Sequence, residues 1–307
     1  MRDIDESRTR LSGIFNIAVT PFNPDGELDF GALEVNIERT ISLGYDGLLI
    51  GGTYGEFPAM NTEERVTLFK RVMAVVEDRV PVMLCSASSD ARVTRELTEL
   101  AGELGGIPMI MPPYVSEVID DHIVEFFNEL APISRTGVII YNAPGIGITL
   151  SPKTIERIAD IDGVVGLKQG DLAPATIDRI ANVVGSRLKL FCASDLAFLG
   201  PMLAGFDGIS STNSCALPEL ILSTYRALER GDAATARDMH KIWYEYRALA
   251  RELGQPQTVK AVMKLRGFNG GAVRQPLRDL NTAEVERVQQ VLSKLAEEPR
   301  SGIKLPA

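Results

Sequence analysis

Short apolar runs recur roughly every 25 to 30 residues, each followed by a stretch whose apolar residues fall three or four apart, the alternation of a parallel sheet whose strands are joined by helices. The runs at 14–19, 47–50, 80–84, 107–111, 138–141, 164–168, 188–192 and 208–211 predict eight strands. Between them Leu33, Ile37 and Ile41, then Leu68, Val72 and Val75, then Ile155 and Ile158 each draw one apolar stripe on a helix that can lie on the sheet. Ser151-Pro152 and Leu217-Pro218-Glu219 read as helix starts, because a first turn has no use for the N–H that proline lacks. Eight strand-helix repeats with no proline- or serine-rich linker predict an α/β fold, a closed (β/α)8 TIM barrel. Past residue 222 the pattern is helical only, over about 233–253, 257–265 and 282–295, which predicts the last barrel helix and a C-terminal helical extension. The expected division is a polar N-terminal arm over 1–12, the barrel over 13–230 and a C-terminal helical region over 231–307.

Composition narrows the class rather than the chemistry. A chain of 307 residues, 45% hydrophobic and 24% charged, has material for one large core. It has no run of about 18 apolar residues to span a membrane, and its first ten residues lack the apolar core of a signal peptide, so a cytoplasmic protein is expected. A net charge of −9 argues against nucleic-acid and acidic-membrane partners, which demand clustered lysine and arginine. Cys85, Cys192 and Cys215 are odd in number, widely spaced and set in or just beyond expected strands; this reads as core packing and predicts neither a disulfide framework nor a zinc site. The two histidines, His122 and His240, fall on separate expected helices and make neither a metal site nor a triad. No metal or other cofactor is implied, since no Gly-x-Gly-x-x-Gly follows a strand and no Walker loop occurs.

Chemistry enters at the strand ends, where a barrel of this kind gathers its functional side chains. The segment Gly163-Val164-Val165-Gly166-Leu167-Lys168 is uncharged until its last residue. Burying an ammonium costs several kcal/mol unless it is paired or gives up its proton, and an amine without that proton is a nucleophile toward ketones. The plainer alternative is a lysine that snorkels to water. The second strand runs into Gly51-Gly52-Thr53-Tyr54-Gly55-Glu56, where glycines permit a tight turn and backbone N–H groups can hold an anion. The fourth ends in Pro112-Pro113-Tyr114 and the fifth in Tyr141-Asn142-Ala143-Pro144. Taken singly these read as a turn, a surface contact and a rim aromatic; their joint arrival at the ends of strands 2, 4, 5 and 6 points to one site.

Three motifs in order make the chain resemble the dihydrodipicolinate synthase / N-acetylneuraminate lyase family of pyruvate-dependent class I aldolases. Gly52-Thr53-Tyr54-Gly55-Glu56 is similar to that family's Gly-[Thr/Ser]-Thr-Gly-Glu loop, Tyr141-Asn142-Ala143-Pro144 to its Tyr-Asn-x-Pro motif, and Val165-Gly166-Leu167-Lys168 to the strand bearing its Schiff-base lysine. The resemblance covers about residues 13–295, and the 27-residue interval from Tyr141 to Lys168 suits it. It implies that Lys168 attacks the ketone of pyruvate or a longer 2-oxo acid, the resulting iminium acting as electron sink for the bond one carbon away. It implies that Tyr141 moves protons as general acid and base. Thr53 would pass protons to Tyr141 and, with Gly52 and the N–H groups of Thr53 and Tyr54, hold the substrate carboxylate. Tyr114 matches a third relay residue that in the family usually enters from the neighbouring subunit, so a homo-oligomer, a dimer of dimers, is expected.

Departures from the family bear on the substrate. Ile146 stands in Pro144-Gly145-Ile146-Gly147 where dihydrodipicolinate synthases have arginine. Isoleucine builds no bidentate carboxylate clamp, which disfavours condensation of pyruvate with aspartate semialdehyde. Tyr54 replaces a threonine and resembles the aromatic residue of hydratase-aldolases that cleave aryl-substituted pyruvates, whereas Gly55-Glu56-Phe57 is closer to the sugar-acid aldolases. Gln169-Gly170-Asp171 follows Lys168 in place of Glu-x-[Ser/Thr]-Gly. The expected reaction is aldol cleavage or condensation through a Schiff base. The alternatives are a dehydratase of a 2-keto-3-deoxy sugar acid, a hydratase-aldolase, the synthase proper, and a non-catalytic 2-oxo acid sensor. Ile209 of the eighth strand and Asp195 after the seventh complete the expected binding residues, Asp195 either contacting a polyol tail or capping a helix. Glu56 is read as a structural hydrogen-bond partner rather than an acid.

Overall fold

The computed structural model describes residues 3–144 and 146–306. In chain order its elements are α1 (Ile4–Arg10), β1 (Gly13–Ile17), α2 (Phe30–Ser42), β2 (Gly47–Ile50), α3 (Thr62–Val76), β3 (Val82–Cys85), α4 (Ala91–Glu103), β4 (Ile107–Ile110), α5 (Asp120–Leu130), β5 (Val138–Asn142), α6 (Pro152–Ala159), β6 (Val164–Gln169), α7 (Pro174–Val184), β7 (Lys189–Cys192), α8 (Leu199–Leu203), β8 (Gly208–Ser211) and α9 (Pro218–Glu229). Four helices follow, α10 (Ala233–Ile242), α11 (Tyr244–Leu253), α12 (Gln257–Leu265) and α13 (Thr282–Glu297). The strands close into a barrel in sequence order, and the pairs from β2 with β3 to β7 with β8 are parallel. This is the expected TIM barrel with helices beyond it.

Local chemistry sets the boundaries. Ser151 caps α6 by accepting from Thr154 N–H at 3.1 Å, with Pro152 in the first turn. β3 starts at Val82, two residues later than the pattern suggests: Pro81 has no N–H for the ladder and contributes only its carbonyl, which accepts from Leu48 at 3.0 Å. The N-terminal arm is helical over α1, capped where Asp3 accepts from Glu6 N–H at 2.9 Å, and Arg8 donates to the Val164 carbonyl at 3.3 Å. The stretch expected as one helix over 233–253 breaks at Trp243, whose backbone (φ −102°, ψ 26°) leaves the helical region between α10 and α11. The indole is fully buried there, edge-on to His240 at 5.6 Å and stacked on Tyr246 at 6.1 Å.

The strand starts share one device. Tyr45-Asp46-Gly47 and Phe206-Asp207-Gly208 lead into β2 and β8, and each aspartate accepts an N–H from a neighbouring strand, Ile14 at 2.9 Å and Leu190 at 2.8 Å. The glycines leave room for the Phe15 and Phe191 rings, which meet edge to face at 4.8 Å.

The chain divides into two compact units that do not follow the arm, barrel and C-terminal boundaries. One comprises Met1–Phe15, Asp46–Ile50 and Thr62–Ser210, the other Asn16–Tyr45, Gly51–Asn61 and Ser211–Ala307. Within the second, Asn16 donates to Ser214 at 2.6 Å, Arg39 donates to the Cys215 carbonyl at 2.8 Å and stacks over Phe268, and Lys260 reaches Glu56. These long-range bonds draw α2 and the segment after β2 into the body of the C-terminal helices.

Candidate active site

In the first unit, Tyr141 and Lys168 are Cα partners across β5 and β6, as are Asn142 and Gln169 one position on. Side chains alternate along a strand, so the two pairs face opposite sides of the sheet. On one side Lys168 Nζ lies 4.0 Å from the centroid of the Tyr141 ring, and each residue is only 3% exposed. The aromatic face is a favourable neighbour for a cation. On the other side Asn142 donates to Gln169 Oε1 at 2.9 Å and accepts from Leu150 N–H at 2.9 Å, while Gln169 donates to the Asp171 carbonyl at 2.8 Å. The outward pair thus locks the strand ends that present the inward one. Gln169, a departure from the family motif, is part of that lock.

The strand next to Lys168 is buried as well, Phe191 beside it in register and Cys192 one position on. The Cys192 thiol is pushed up to about 12 by burial, an effect to which the Asp195 carboxylate adds and which Lys168 opposes. Burial raises Cys85 as well. Asp195 itself is buried and does not cap α8, whose N-cap is Phe198 without a side-chain bond. Ile209 shares its register row with Cys192 and, through it, Gln169, so its fully buried side chain faces away from the Lys168 side and only its backbone is available to a ligand. Arg65 of α3 was not anticipated from the sequence; it is buried and donates to the carbonyls of Cys85 at 2.6 Å and Ala87 at 2.9 Å, fixing the end of β3.

Tyr114 follows β4 and is half-buried. It packs on the β5–α6 segment at Gly147, which has φ +68°; a Cβ there would stand 2.8 Å from Tyr114 Cβ. Only glycine suits both the backbone and the approach. Ile146 is half-buried in the same segment, and its N–H donates to the Ala143 carbonyl at 3.2 Å. Gly145 lies outside the described residues.

In the second unit, Gly51, the residue after β2, has φ +62° and is followed by a 3-10 turn over Thr53–Gly55. Gly52 is buried while Thr53 and Tyr54 are half-buried. Gly55 N–H donates to Gly52 at 3.0 Å and Glu56 N–H to Thr53 at 3.2 Å. Glu56, almost fully buried, pairs with Lys260 Nζ at 2.5 Å, and its other oxygen accepts from Arg274 N–H at 3.1 Å. Burial pushes the Glu56 carboxyl up and the Lys260 ammonium down, and the pairing opposes both shifts. Sequence reasoning made Glu56 structural but did not find its partner. The available signal was a lysine at position 260 between Val259 and Val262 on an otherwise apolar stripe.

Elsewhere the polar candidates are structural. His240 is buried against Trp243 and pushed down to about 4, by burial first and then by Arg247 and Arg251. Among the described residues no group of three or more His, Cys, Asp or Glu could hold a metal ion, and no helix is long and apolar enough to cross a membrane.

A parallel eight-stranded barrel with a buried lysine at one strand end and a tyrosine beside it on the next strand has the framework of a class I, Schiff-base-forming lyase. Comparison with known proteins makes the class specific. A sequence model of the dihydrodipicolinate synthetase family matches residues 10–295, and the chain belongs to that family. Among its relatives is a 4-hydroxy-tetrahydrodipicolinate synthase of Sorangium cellulosum, 32% identical over 294 residues that cover 94% of this chain and 97% of that one. A protein of the same name from Oceanobacillus iheyensis is 29% identical over 286 residues, covering 91% and 96%. Dihydrodipicolinate synthase of Thermotoga maritima superposes with a TM-score of 0.87 at 26% identity, over 93% of this chain and 98% of that one. A dihydrodipicolinate synthase characterised as a monomeric variant gives 0.87 at 27%, over 94% and 98%.

Proposed function

We propose that Lys168 forms a Schiff base with pyruvate or a longer 2-oxo acid and that the protein makes or breaks a carbon-carbon bond next to it. The observation that carries this is the buried Lys168 amine 4.0 Å over the ring of Tyr141. The amine adds to the ketone carbon, water leaves, and the iminium accepts the electron pair released when the bond one carbon away breaks. Tyr141 supplies and removes the protons, and Thr53 serves as relay and as ligand of the carboxylate together with Gly52 and the N–H of Tyr54. Hydrolysis of the iminium returns Lys168 and the 2-oxo acid.

The relatives' name supplies a competing reading, condensation of pyruvate with aspartate semialdehyde. Ile146 counts against it, because no guanidinium stands at that position to clamp a second carboxylate. Ile146 and Tyr54 favour an acceptor aldehyde that carries no carboxylate, such as the aryl aldehyde that cleavage of an aryl-substituted pyruvate would release. Dehydration of a 2-keto-3-deoxy sugar acid would use the same lysine and tyrosine and expel hydroxide in place of an aldehyde.

We also infer a homo-oligomer, with Tyr114 at a subunit contact. Val115 and Ile119, beside it in the segment between β4 and α5, are exposed apolar side chains that a second copy would cover.

The test is borohydride reduction in the presence of pyruvate, followed by intact mass and peptide mapping. A stable adduct on Lys168, absent from Lys168→Ala along with all turnover, is the expected result. Turnover by Lys168→Ala near the wild-type rate would remove covalent catalysis from this residue.

A further inference from the structure

We propose that Lys260, seconded by Arg274, is the positioning residue of the Gly52–Glu56 turn: an ammonium supplied by α12 holds in place the backbone that receives the substrate carboxylate. The proposal rests on the role assigned above to that turn.

The three N–H groups of Lys260 meet three acceptors, Glu56 Oε1 at 2.5 Å, the Ala272 carbonyl at 2.7 Å and the Thr20 carbonyl at 2.8 Å. An ammonium has three donors, so the inventory closes. The acceptors come from three separate stretches: the turn after β2, the chain after β1, and the segment beyond α12. Thr20 returns a bond to the turn, its hydroxyl donating to the Gly55 carbonyl at 2.8 Å. Arg274 gives its N–H to Glu56 Oε2 at 3.1 Å, and its guanidinium bonds the Ala59 carbonyl at 2.9 Å while lying 4.2 Å over the Phe22 ring. Both ends of the segment from Gly55 to Ala59 are thereby tied.

Glu56 has the left-handed backbone (φ 60°, ψ 35°) that non-glycine residues seldom adopt, and its N–H closes the turn onto Thr53. Whatever fixes Glu56 therefore fixes the turn. Both side chains are 2% exposed. A buried ion pair is a poor way to gain stability, since an apolar pair of similar volume serves as well or better. Directional bonds to three segments instead specify one geometry.

Three proteins test this: wild type, Lys260→Met, and the double variant Glu56→Met with Lys260→Met, which removes the stranded carboxylate. Each is measured for the pyruvate concentration that half-saturates borohydride labelling of Lys168, for hydrogen exchange of peptide 51–61 without ligand, and for thermal midpoint. Lys260→Met is expected to raise the half-saturating pyruvate about 10- to 100-fold, the scale of a small misplacement of a binding group, with full labelling still reached at saturation and faster exchange in 51–61. The double variant is expected to regain the thermal midpoint but neither the pyruvate affinity nor the protection. Recovery of all three in the double variant, or wild-type saturation and exchange in Lys260→Met, overturns the proposal and leaves the pair as packing. Should Lys260→Met not be recovered folded, Lys260→Arg carries the test: it keeps the charge but not three bonds from one atom, so pyruvate capture weakens while melting stays near wild type, and unaltered capture overturns the proposal. If wild type takes no pyruvate label, the catalytic reading has failed, and exchange in 51–61 decides this proposal by itself.

Discussion

Replacing Tyr141 by phenylalanine keeps the aromatic face over which Lys168 Nζ sits at 4.0 Å and removes only the hydroxyl. If the phenol is the proton carrier, Tyr141→Phe still forms the borohydride-trappable adduct while turnover falls about 100-fold or more. Single-turnover and steady-state rates measured side by side separate the two steps, and wild-type turnover would reduce Tyr141 to packing. Lys168 and Tyr141 were legible in the sequence because each ends an apolar run with a chemically conspicuous group. Lys260 was not. A lysine on a helix is ordinarily solvated, and what makes this one buried is a carboxylate 204 residues away in the chain, a relation that no local pattern carries. Gln169 is similar: it looked like a departure from a motif, and its purpose appears only when the β5–β6 register puts Asn142 beside it. Asp195 misled for a further reason. An aspartate shortly before a helix suggests a cap, but α8 begins four residues later and has no side-chain cap.

At the scale of elements, the strands were readable to within a residue or two because a buried parallel strand is a short apolar run bounded by turn residues. The break between α10 and α11 was not. The buried stripe Ala236, Met239, His240, Trp243, Tyr246, Leu249 runs through it at helical spacing, so periodicity bears no mark of the kink. That junction makes the stability pH-dependent. The imidazole of an unfolded chain titrates near 6.5, whereas His240 in the fold is held down at about 4. As pH falls from 6.5, the unfolded chain takes up the proton and the folded one does not. Stability present above pH 6.5 is therefore lost progressively down to about pH 4, by up to about 3 kcal/mol. Urea midpoints followed by circular dichroism from pH 7.5 to 4 should show this slope, and His240→Phe should lose it. An unchanged slope in the variant would assign the acid sensitivity to carboxylates instead.

For the whole molecule, the closed barrel was the easiest inference and the two compact units the hardest, because the second unit joins two separate stretches of the expected barrel region to a third that runs on into the C-terminal helices. Assembly of several chains is the remaining expectation. Sedimentation velocity should return a multiple of the 33.4 kDa chain mass, and a single-chain mass would exclude a Tyr114 contributed by a neighbour. The junction residue Trp243 also determines how such experiments can be watched. It is the only tryptophan in the chain and is sealed from solvent between His240 and Tyr246, in the second unit. Its emission is thus a local light: it should report the order of the α10–α11 corner and change when His240, 5.6 Å away, gains a proton. Fluorescence and borohydride trapping therefore question different units of the same chain, and only their coincidence along a denaturation curve would establish that both give way together.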